Sequence, residues 1–253
     1  VVNPAGTFIN GPDGKLEAKY VQGKNSTAPT VLILHPHPEY GGTMNNKVVY
    51  NAFHTFLKNG FSVCRFNFRG VGKSEGKFDN GQGELSDAAA VLDWIQRQNP
   101  TTNESWIVGF SFGSLICMQL LMRRPEIYRF IAVCPQPNIY DFNFLAPCPS
   151  SGMVLYSSND QLVPPDATKT LETKLKNQKS INQILSILLN NNFNRNNSMS
   201  SNSENDISNI RNINFDNKQK EMYKLCNDSS FLDAEKEENL DSEVKVLNDY
   251  LET

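Results

Sequence analysis

Residue types that build metal centres and disulfide frameworks are scarce in this sequence. Of its 253 residues, three are histidine and five are cysteine, and the cysteines are far apart with no C-x-x-C pair. Zinc sites need these residues in clusters and disulfide frameworks need them in dense, even sets, so the sequence argues against both. The cysteines are predicted to be buried thiols, which places the protein in the cytoplasm or another reducing compartment.

Strong charge of one sign and long apolar runs are also missing. With 24 basic and 27 acidic residues, the net charge of −3 gives no electrostatic reason to bind nucleic acid. The longest apolar stretches, such as 31–34 and 184–189, are far shorter than the roughly 18 residues of a membrane-spanning helix. The chain begins at Val1, and earlier removal of a targeting segment stays open.

Asparagine, in contrast, is abundant, most strongly in the last third of the chain. Residues 190–217 contain 12 asparagines in 28 positions and few large apolar side chains. Such a segment cannot bury enough apolar surface to offset its loss of conformational entropy, so it is predicted to be a disordered insertion. Residues 241–252 return to helical spacing, which predicts that the insertion interrupts a single domain spanning 1–253.

The well-patterned part of the sequence alternates short apolar runs with amphipathic segments. The run VLILH at 31–35 is typical of a strand buried on both faces, and residues 46–58 have helical spacing. Repetition of this alternation predicts an α/β fold with a mainly parallel central sheet and helices on both faces. Residues 6–21 are predicted to add two antiparallel edge strands. The other predicted strands are 61–68, 106–110, 130–133 and 153–156, the other helices are 84–98, 112–124 and about 165–176, and 181–189 suits either type.

The pentapeptide GFSFG at 109–113 fits the pattern G-x-S-x-G, and its context makes the match informative. It follows a predicted strand and opens the predicted helix that starts at Phe112. This is the context of a nucleophile elbow, a sharp strand-to-helix turn that exposes a serine oxygen at the carboxyl edge of the sheet. The turn also places the positive end of the helix beside any oxyanion formed there. Ser111 is therefore the candidate nucleophile, and the alternative is an ordinary glycine-rich turn.

Two predicted strands follow the one that ends at the GFSFG motif, and an acidic residue comes after the second of them. A serine–base–acid triad places its carboxylate at this position. Asp160, in the segment YSSNDQLVP at 156–164, is the candidate acid, and the alternative is a solvated turn residue. Asp166 is predicted instead to cap the helix that begins near Pro165.

The loop HPHPEYGG at 35–42 comes from the position at which such sheets supply the second oxyanion donor. Its two prolines have no backbone N–H, and the N–H of His35 is expected to belong to the strand. By elimination, the backbone amide of His37 is predicted to form an oxyanion hole with that of Phe112. The two imidazoles are expected to fix the loop rather than to bind a metal ion.

These motifs resemble the α/β-hydrolase superfamily, specifically its small serine hydrolases that have no lid and carry an HPHP…GGTMNN loop. The resemblance covers about residues 1–176. It implies the α/β-hydrolase fold, Ser111 as nucleophile, Asp160 as acid, a Phe112/His37 oxyanion hole, and a small ester, thioester or related acyl substrate. The matching segments are 35–49, 65–94, 109–113, 120–126 and 135–152.

The sequence departs from this family at the residue that activates the serine. The family places a catalytic histidine after the last strand, whereas the histidines here are His35, His37 and His54, and none follows Asp160. A neutral serine needs a base to remove its proton, and in a serine protease loss of that base lowers turnover by about 10⁶. His37 is the one candidate substitute, because His54 is expected to face solvent.

Three interpretations of function follow. The first is a serine hydrolase impaired by the missing histidine, which needs no cofactor because its chemistry is acid–base and nucleophilic. The second is an inactive pseudo-hydrolase whose pocket binds a ligand or partner. The third is an interaction protein that uses the Asn-rich segment 190–217. The sequence shows no lid domain before residue 153, which predicts an open pocket. Phe142, Phe144 and Leu145 are expected either to line this pocket or to pack beneath it. The oligomeric state stays open.

Overall fold

A computed structural model describes residues 6–145, 148–156, 160 and 162–176. The Asn-rich segment 190–217, the ambiguous segment 181–189 and the predicted closing helix at 241–252 lie outside the described residues. Strands and helices alternate through the described part, in the order predicted. They are β1 (Gly6–Gly11), β2 (Gly14–Val21), β3 (Thr30–Leu34), a 3-10 turn (Pro38–Tyr40), α1 (Lys47–Lys58), β4 (Ser62–Phe66), α2 (Gln82–Gln98), β5 (Ser105–Phe110), α3 (Phe112–Leu121), β6 (Ile127–Val133), β7 (Ser151–Leu155) and α4 (Pro165–Lys176).

The strands of the described part form one sheet of seven, in the order β1-β2-β4-β3-β5-β6-β7. The five strands from β3 to β7 run parallel to one another. Strands β1 and β2 form an antiparallel hairpin, and β2 joins β4 in antiparallel orientation. The predicted fold class is therefore confirmed, and the carboxyl ends of the parallel strands lie along one edge, where such sheets place their sites.

Helices cover both faces of the sheet, which explains why the strands are almost continuously apolar. On one face, Phe53 and Phe56 of α1 pack with alternate strand residues such as Val31 and Val63. On the other face, α2, α3 and α4 pack on the intervening residues of the same strands, including Leu32. The buried apolar residues of the parallel strands therefore lie in one of two layers, one on each face of the sheet.

Some element bounds differ from the prediction, and the differences have physical causes. Helix α3 ends at Leu121 rather than at Arg124. Pro125 accounts for this, because a proline disfavours helical backbone in the residue before it. Strand β4 ends at Phe66 rather than at residue 68, because the chain leaves the sheet there for a loop that lies beside the site.

Candidate active site

The chain turns at Ser111, between the end of β5 and the start of α3. Ser111 has φ 55° and ψ −116°, and it is one of three non-glycine residues with positive φ in the described part of the chain. Such a conformation costs of order 1–3 kcal/mol, so the surroundings must hold it. Its N–H donates to the Val133 carbonyl of β6 at 2.8 Å, and the Ser114 N–H and hydroxyl donate to its own carbonyl at 2.9 and 2.6 Å. The structure therefore has a strained strand-to-helix turn at the position predicted for the elbow, and the role of Ser111 as nucleophile stays a prediction.

The two glycines of the GFSFG motif are required by close backbone contacts. A Cβ added to Gly109 would lie 2.2 Å from the Gly113 carbonyl oxygen, and one added to Gly113 would lie 2.5 Å from the Leu34 carbonyl oxygen. No side chain larger than hydrogen fits at either position. The start of α3 is thereby pressed against the end of β3, where the predicted oxyanion loop begins.

Ser111 is buried, with 5% of its surface exposed, and its hydroxyl donates to the side-chain oxygen of Gln136 at 3.1 Å. Gln136 lies in the loop after β6 and is 2% exposed. It is not among the site residues that the sequence predicts. The one local signal was an uncharged polar residue shortly after a strand that ends at the same edge of the sheet as the elbow.

The loop after β3 folds back onto the start of α3. The His37 carbonyl accepts from the N–H groups of Tyr40 and Gly42, at 3.2 and 3.0 Å. The His37 ring packs against the rings of Tyr40, Phe78 and Phe112, with centroids 4.5, 4.8 and 5.0 Å away. The structure thus brings the two predicted oxyanion residues, His37 and Phe112, into contact beside Ser111.

The second half of that loop, within the GGTMNN motif, is anchored to β4 and its continuation. The Met44 N–H donates to Asn67 Oδ1 at 2.8 Å, and the Met44 carbonyl accepts from Arg65 Nη1 at 2.7 Å. Asn46 then caps α1, because its side-chain oxygen accepts from the Val48 N–H at 3.0 Å. These polar residues therefore have a structural role in setting the path of the loop.

His35 is part of the framework of the site. Its Nε2 accepts from the Phe68 N–H at 3.0 Å, so Nδ1 carries the proton and donates to the Pro36 carbonyl at 2.6 Å. The ring is completely buried, and burial lowers its pKa to about 3. With both nitrogens bonded to backbone, His35 is a neutral brace between two loops, as expected for a loop-fixing imidazole.

The other two histidines are poor bases in this structure. Burial lowers the pKa of His37 to about 4, and its Nδ1 accepts from the Glu39 N–H at 3.3 Å. His54 lies on α1, whose apolar face packs on the other side of the sheet from α3, with its ring 4.3 Å from that of Tyr50. It is half-buried rather than solvent-facing. Burial is the largest cause that lowers its pKa, and the positive charges of Arg65 and two lysines lower it further.

Asp160 lies after β7 and organises the turn that leads to α4. Its Oδ1 accepts from the N–H groups of Leu162 and Val163, at 2.8 and 3.1 Å. Asn138 Nδ2 donates to the Leu162 carbonyl at 2.9 Å, which ties this turn to the loop that carries Gln136. Asp166, predicted to cap α4, is instead an exposed residue within its first turn.

The remaining predicted pocket residues divide between two environments. Phe142 and Leu145 are buried in the main core, so they support the site by packing, whereas Phe144 is half-buried at its edge. Among the described residues, no three His, Cys, Asp or Glu side chains gather closely enough to hold a metal ion. None of the described helices has the length and apolar character that crossing a membrane requires.

Comparison with known proteins agrees with this architecture. A crystal structure of a protein of unknown function from Agrobacterium tumefaciens, a candidate α/β hydrolase, is 45% identical, with a TM-score of 0.71 over 90% of this chain and 94% of that one. An α/β serine hydrolase without a lid from Xanthomonas campestris is 31% identical, with a TM-score of 0.64 over 74% of this chain and 85% of that one.

Sequence relatives extend the same conclusion. An uncharacterized protein of Rickettsia prowazekii (strain Madrid E) is 53% identical over 176 residues, which are 68% of this chain and 74% of that protein. The family model for X-Pro dipeptidyl-peptidase (S15 family) matches residues 15–224. The chain therefore belongs to the S15 family, within the α/β-hydrolase superfamily.

Proposed function

We propose that this protein is a serine hydrolase that cleaves a small ester, thioester or related acyl substrate through Ser111. The observation that carries the proposal is the strained backbone of Ser111, held between β5 and the N-terminus of α3. A serine in this conformation has few structural uses, and strained residues cluster at active sites. The helix behind it supplies backbone N–H groups and a positive dipole end for an anionic intermediate.

The proposed reaction has two half-reactions. Ser111 Oγ attacks the substrate carbonyl carbon and loses its proton to a base, and the carbonyl oxygen becomes an oxyanion that accepts hydrogen bonds from the amides of Phe112 and His37. Collapse of this intermediate expels the alcohol or thiol, which takes up a proton, and leaves an acyl ester on Ser111. Water then hydrolyses the ester by the same route, so the acid is released and Ser111 regains its proton.

Asp160 is proposed as the triad carboxylate. The support is its place after β7, at the carboxyl edge of the sheet, and the hydrogen bond from Asn138 to Leu162 that ties its turn to the loop beside Ser111. The two N–H groups that bond to Oδ1 fix the carboxyl group in the turn.

The proposed substrate is small and uncharged near the reacting carbon. The described aromatic rings that pack on His37 and Phe112 include Tyr40, Phe68, Phe78 and Tyr140, which carry no charge at neutral pH. Such walls favour an apolar acyl group over an ionic one, because an unpaired charge against them would lose its hydration.

We propose that turnover is impaired, because the histidines described above do not suit the role of base. His35 has both ring nitrogens bonded to backbone, and His37 has a pKa of about 4. The oxyanion hole and binding alone would leave a rate of about 10³–10⁴ over the reaction in water. A slow hydrolase is therefore the expected result.

A fluorophosphonate probe tests the proposal, because it reacts with an activated serine even when turnover is slow. We expect labelling of the wild-type protein that disappears in Ser111→Ala, together with slow release of p-nitrophenol from p-nitrophenyl acetate that also depends on Ser111. Equal labelling of the two proteins, or none of either, would contradict the proposal.

The pseudo-hydrolase is the second candidate. It is favoured because both ring nitrogens of His35 are bonded to backbone and the pKa of His37 is about 4. In that case the elbow and its helix N-terminus would bind a small anion or carbonyl compound without reaction. The distinguishing result is absence of labelling together with a rise in the melting temperature on addition of short-chain carboxylates from acetate to hexanoate. Labelling that depends on Ser111 would instead exclude a purely binding role.

A further inference from the structure

The side chain of Gln136 is in direct contact with Ser111, the proposed nucleophile, and Gln136 is not among the site residues predicted from the sequence. Its Oε1 accepts a hydrogen bond from the Ser111 hydroxyl at 3.1 Å across 25 residues of chain. Both side chains are almost completely buried. A buried hydroxyl needs a hydrogen-bond partner, and here an amide rather than an imidazole supplies it.

The backbone around Gln136 is fixed by several independent contacts. Cys134, at the end of β6, has φ 47° and donates its N–H to the Leu155 carbonyl of β7 at 2.7 Å. The Gln136 carbonyl then accepts from the N–H groups of Ile139 and Tyr140, each at 3.0 Å. The chain therefore turns sharply out of the sheet and closes a tight turn that aims the Gln136 side chain at the elbow.

We infer that Gln136 is a positioning residue, whose amide oxygen holds the Ser111 hydroxyl in one rotamer over the N-terminus of α3. A serine side chain has three staggered rotamers, and a fixed acceptor favours the one that points at it. An amide oxygen is too weakly basic to take the proton, so Gln136 orients the hydroxyl and does not replace the missing base. This inference rests on the proposed function, in which Ser111 is the nucleophile.

The first test compares Gln136→Leu with the wild-type protein. Leucine keeps most of the volume and removes the acceptor, so we expect the rate of fluorophosphonate labelling to fall about three- to tenfold, as the loss of one neutral hydrogen bond predicts. With p-nitrophenyl acetate, kcat is expected to fall while KM stays the same, because the substrate does not need this hydrogen bond to bind. Unchanged kcat in a folded Gln136→Leu protein would overturn the inference.

A second test does not depend on hydrolase activity. In a Ser111→Cys background, the pKa of the introduced thiol is measured from the pH dependence of its alkylation by iodoacetamide, followed on its own peptide by mass spectrometry. Adding Gln136→Glu, which has nearly the same size, places a carboxyl group beside the sulfur. A negative charge at this distance disfavours the thiolate, so we expect the thiol pKa to rise by about one unit or more.

The matched control is Gln98→Glu, because Gln98 is an exposed residue at the end of α2. Its new charge is screened by solvent, so the thiol pKa should stay within about 0.3 units of that in Ser111→Cys alone. Equal alkylation profiles for Gln136→Glu and Gln98→Glu would overturn the inference.

The two tests separate this inference from the proposed function. A wild-type protein that is not labelled, combined with a thiol pKa that responds to Gln136→Glu, would remove the hydrolase proposal and keep the contact between Gln136 and residue 111. Labelling of Ser111 that is indifferent to Gln136→Leu, without the shift in thiol pKa, would remove only the positioning role.

Discussion

Arg69 and Asp87 form a buried, bidentate ion pair that joins the loop after β4 to helix α2. Arg69 Nε and Nη2 donate to the two carboxylate oxygens of Asp87 at 2.9 and 2.7 Å, and the Arg69 N–H donates to Oδ2 at 3.2 Å. Gly83 makes room for the guanidinium, since a Cβ there would lie 2.3 Å from Nη1. The pair therefore fixes the loop that carries Phe78 toward the site.

Removing one partner of this pair is expected to be costly. Asp87→Ala removes both short bonds of the buried guanidinium and leaves it a longer 3.7 Å ion pair with the exposed Asp13. We therefore expect the free energy of unfolding to fall by about 3 kcal/mol, at the lower end for a broken buried pair. Urea unfolding followed by circular dichroism measures the change.

Asp93→Ala is the matched control, because Asp93 pairs with Arg124 at 2.7 Å while 47% of its side chain is exposed. Exposed ion pairs contribute about 0–1 kcal/mol, so this variant should remain close to wild type. Similar losses in the two variants would show that burial does not set the strength of the Arg69–Asp87 pair.

The neutral brace formed by His35 predicts a pH-dependent stability. Its native pKa of about 3 lies below the ordinary value of 6.5, so between these values the unfolded chain binds a proton that the native protein does not. Stability is therefore complete above pH 6.5 and decreases as the pH falls. For this one group we expect a loss of about 2 kcal/mol between pH 7 and pH 5.

The measurement is the free energy of unfolding in urea at pH 5, 6 and 7, compared with His35→Gln. Glutamine can accept from the Phe68 N–H but does not titrate, so this variant should be less stable at pH 7 and lose about 2 kcal/mol less on acidification. Parallel pH dependences in the two proteins would exclude His35 as the source.

Local signals explain what could be predicted from the sequence. The elbow was predicted because Gly109, Ser111 and Gly113 lie within five residues, and the reason for each glycine is a contact with nearby backbone. The hairpin of β1 and β2 was predicted because its strands are adjacent in the chain. Strands buried on both faces are recognisable because most of their residues are apolar.

Long-range contacts explain what could not be predicted. Gln136 contacts Ser111 just after Cys134 adopts a left-handed backbone, which a non-glycine residue rarely does and which no sequence pattern indicates. Arg65 stands in an otherwise apolar strand yet is buried, with its guanidinium against the rings of Tyr50 and Phe53. The environment of such residues depends on how helices and strands pack in the folded protein, which the local sequence pattern does not predict.

The close approach of α3 to β3 predicts that the second glycine of the motif cannot be replaced. In Gly113→Ala the new methyl would lie 2.5 Å from the Leu34 carbonyl oxygen, so the start of the helix must shift. We expect a loss of about 1–3 kcal/mol in the free energy of unfolding, as for other overpacked sites. Labelling of Ser111 should fall at least tenfold, because the Phe112 amide moves with the helix.

Gly6→Ala is the control for this substitution, because a Cβ on Gly6 would meet nothing within 4 Å in the structure. Its stability should stay within about 0.5 kcal/mol of wild type, and its labelling rate should not change. A Gly113→Ala protein as stable and as reactive as Gly6→Ala would contradict the packing described for the elbow.

The dependence of labelling on pH tests whether a histidine activates Ser111. Without a basic imidazole, hydroxide must remove the proton, so we expect the rate of fluorophosphonate labelling to rise about tenfold per pH unit between pH 6.5 and 8.5. The native pKa of His37, about 4, makes it a weak acceptor, and His37→Gln should keep the same slope. A rate that is already constant above pH 5, and becomes pH-dependent in His37→Gln, would instead identify His37 as the base. A rate that levels off near pH 7 in both proteins would locate the base in another part of the chain.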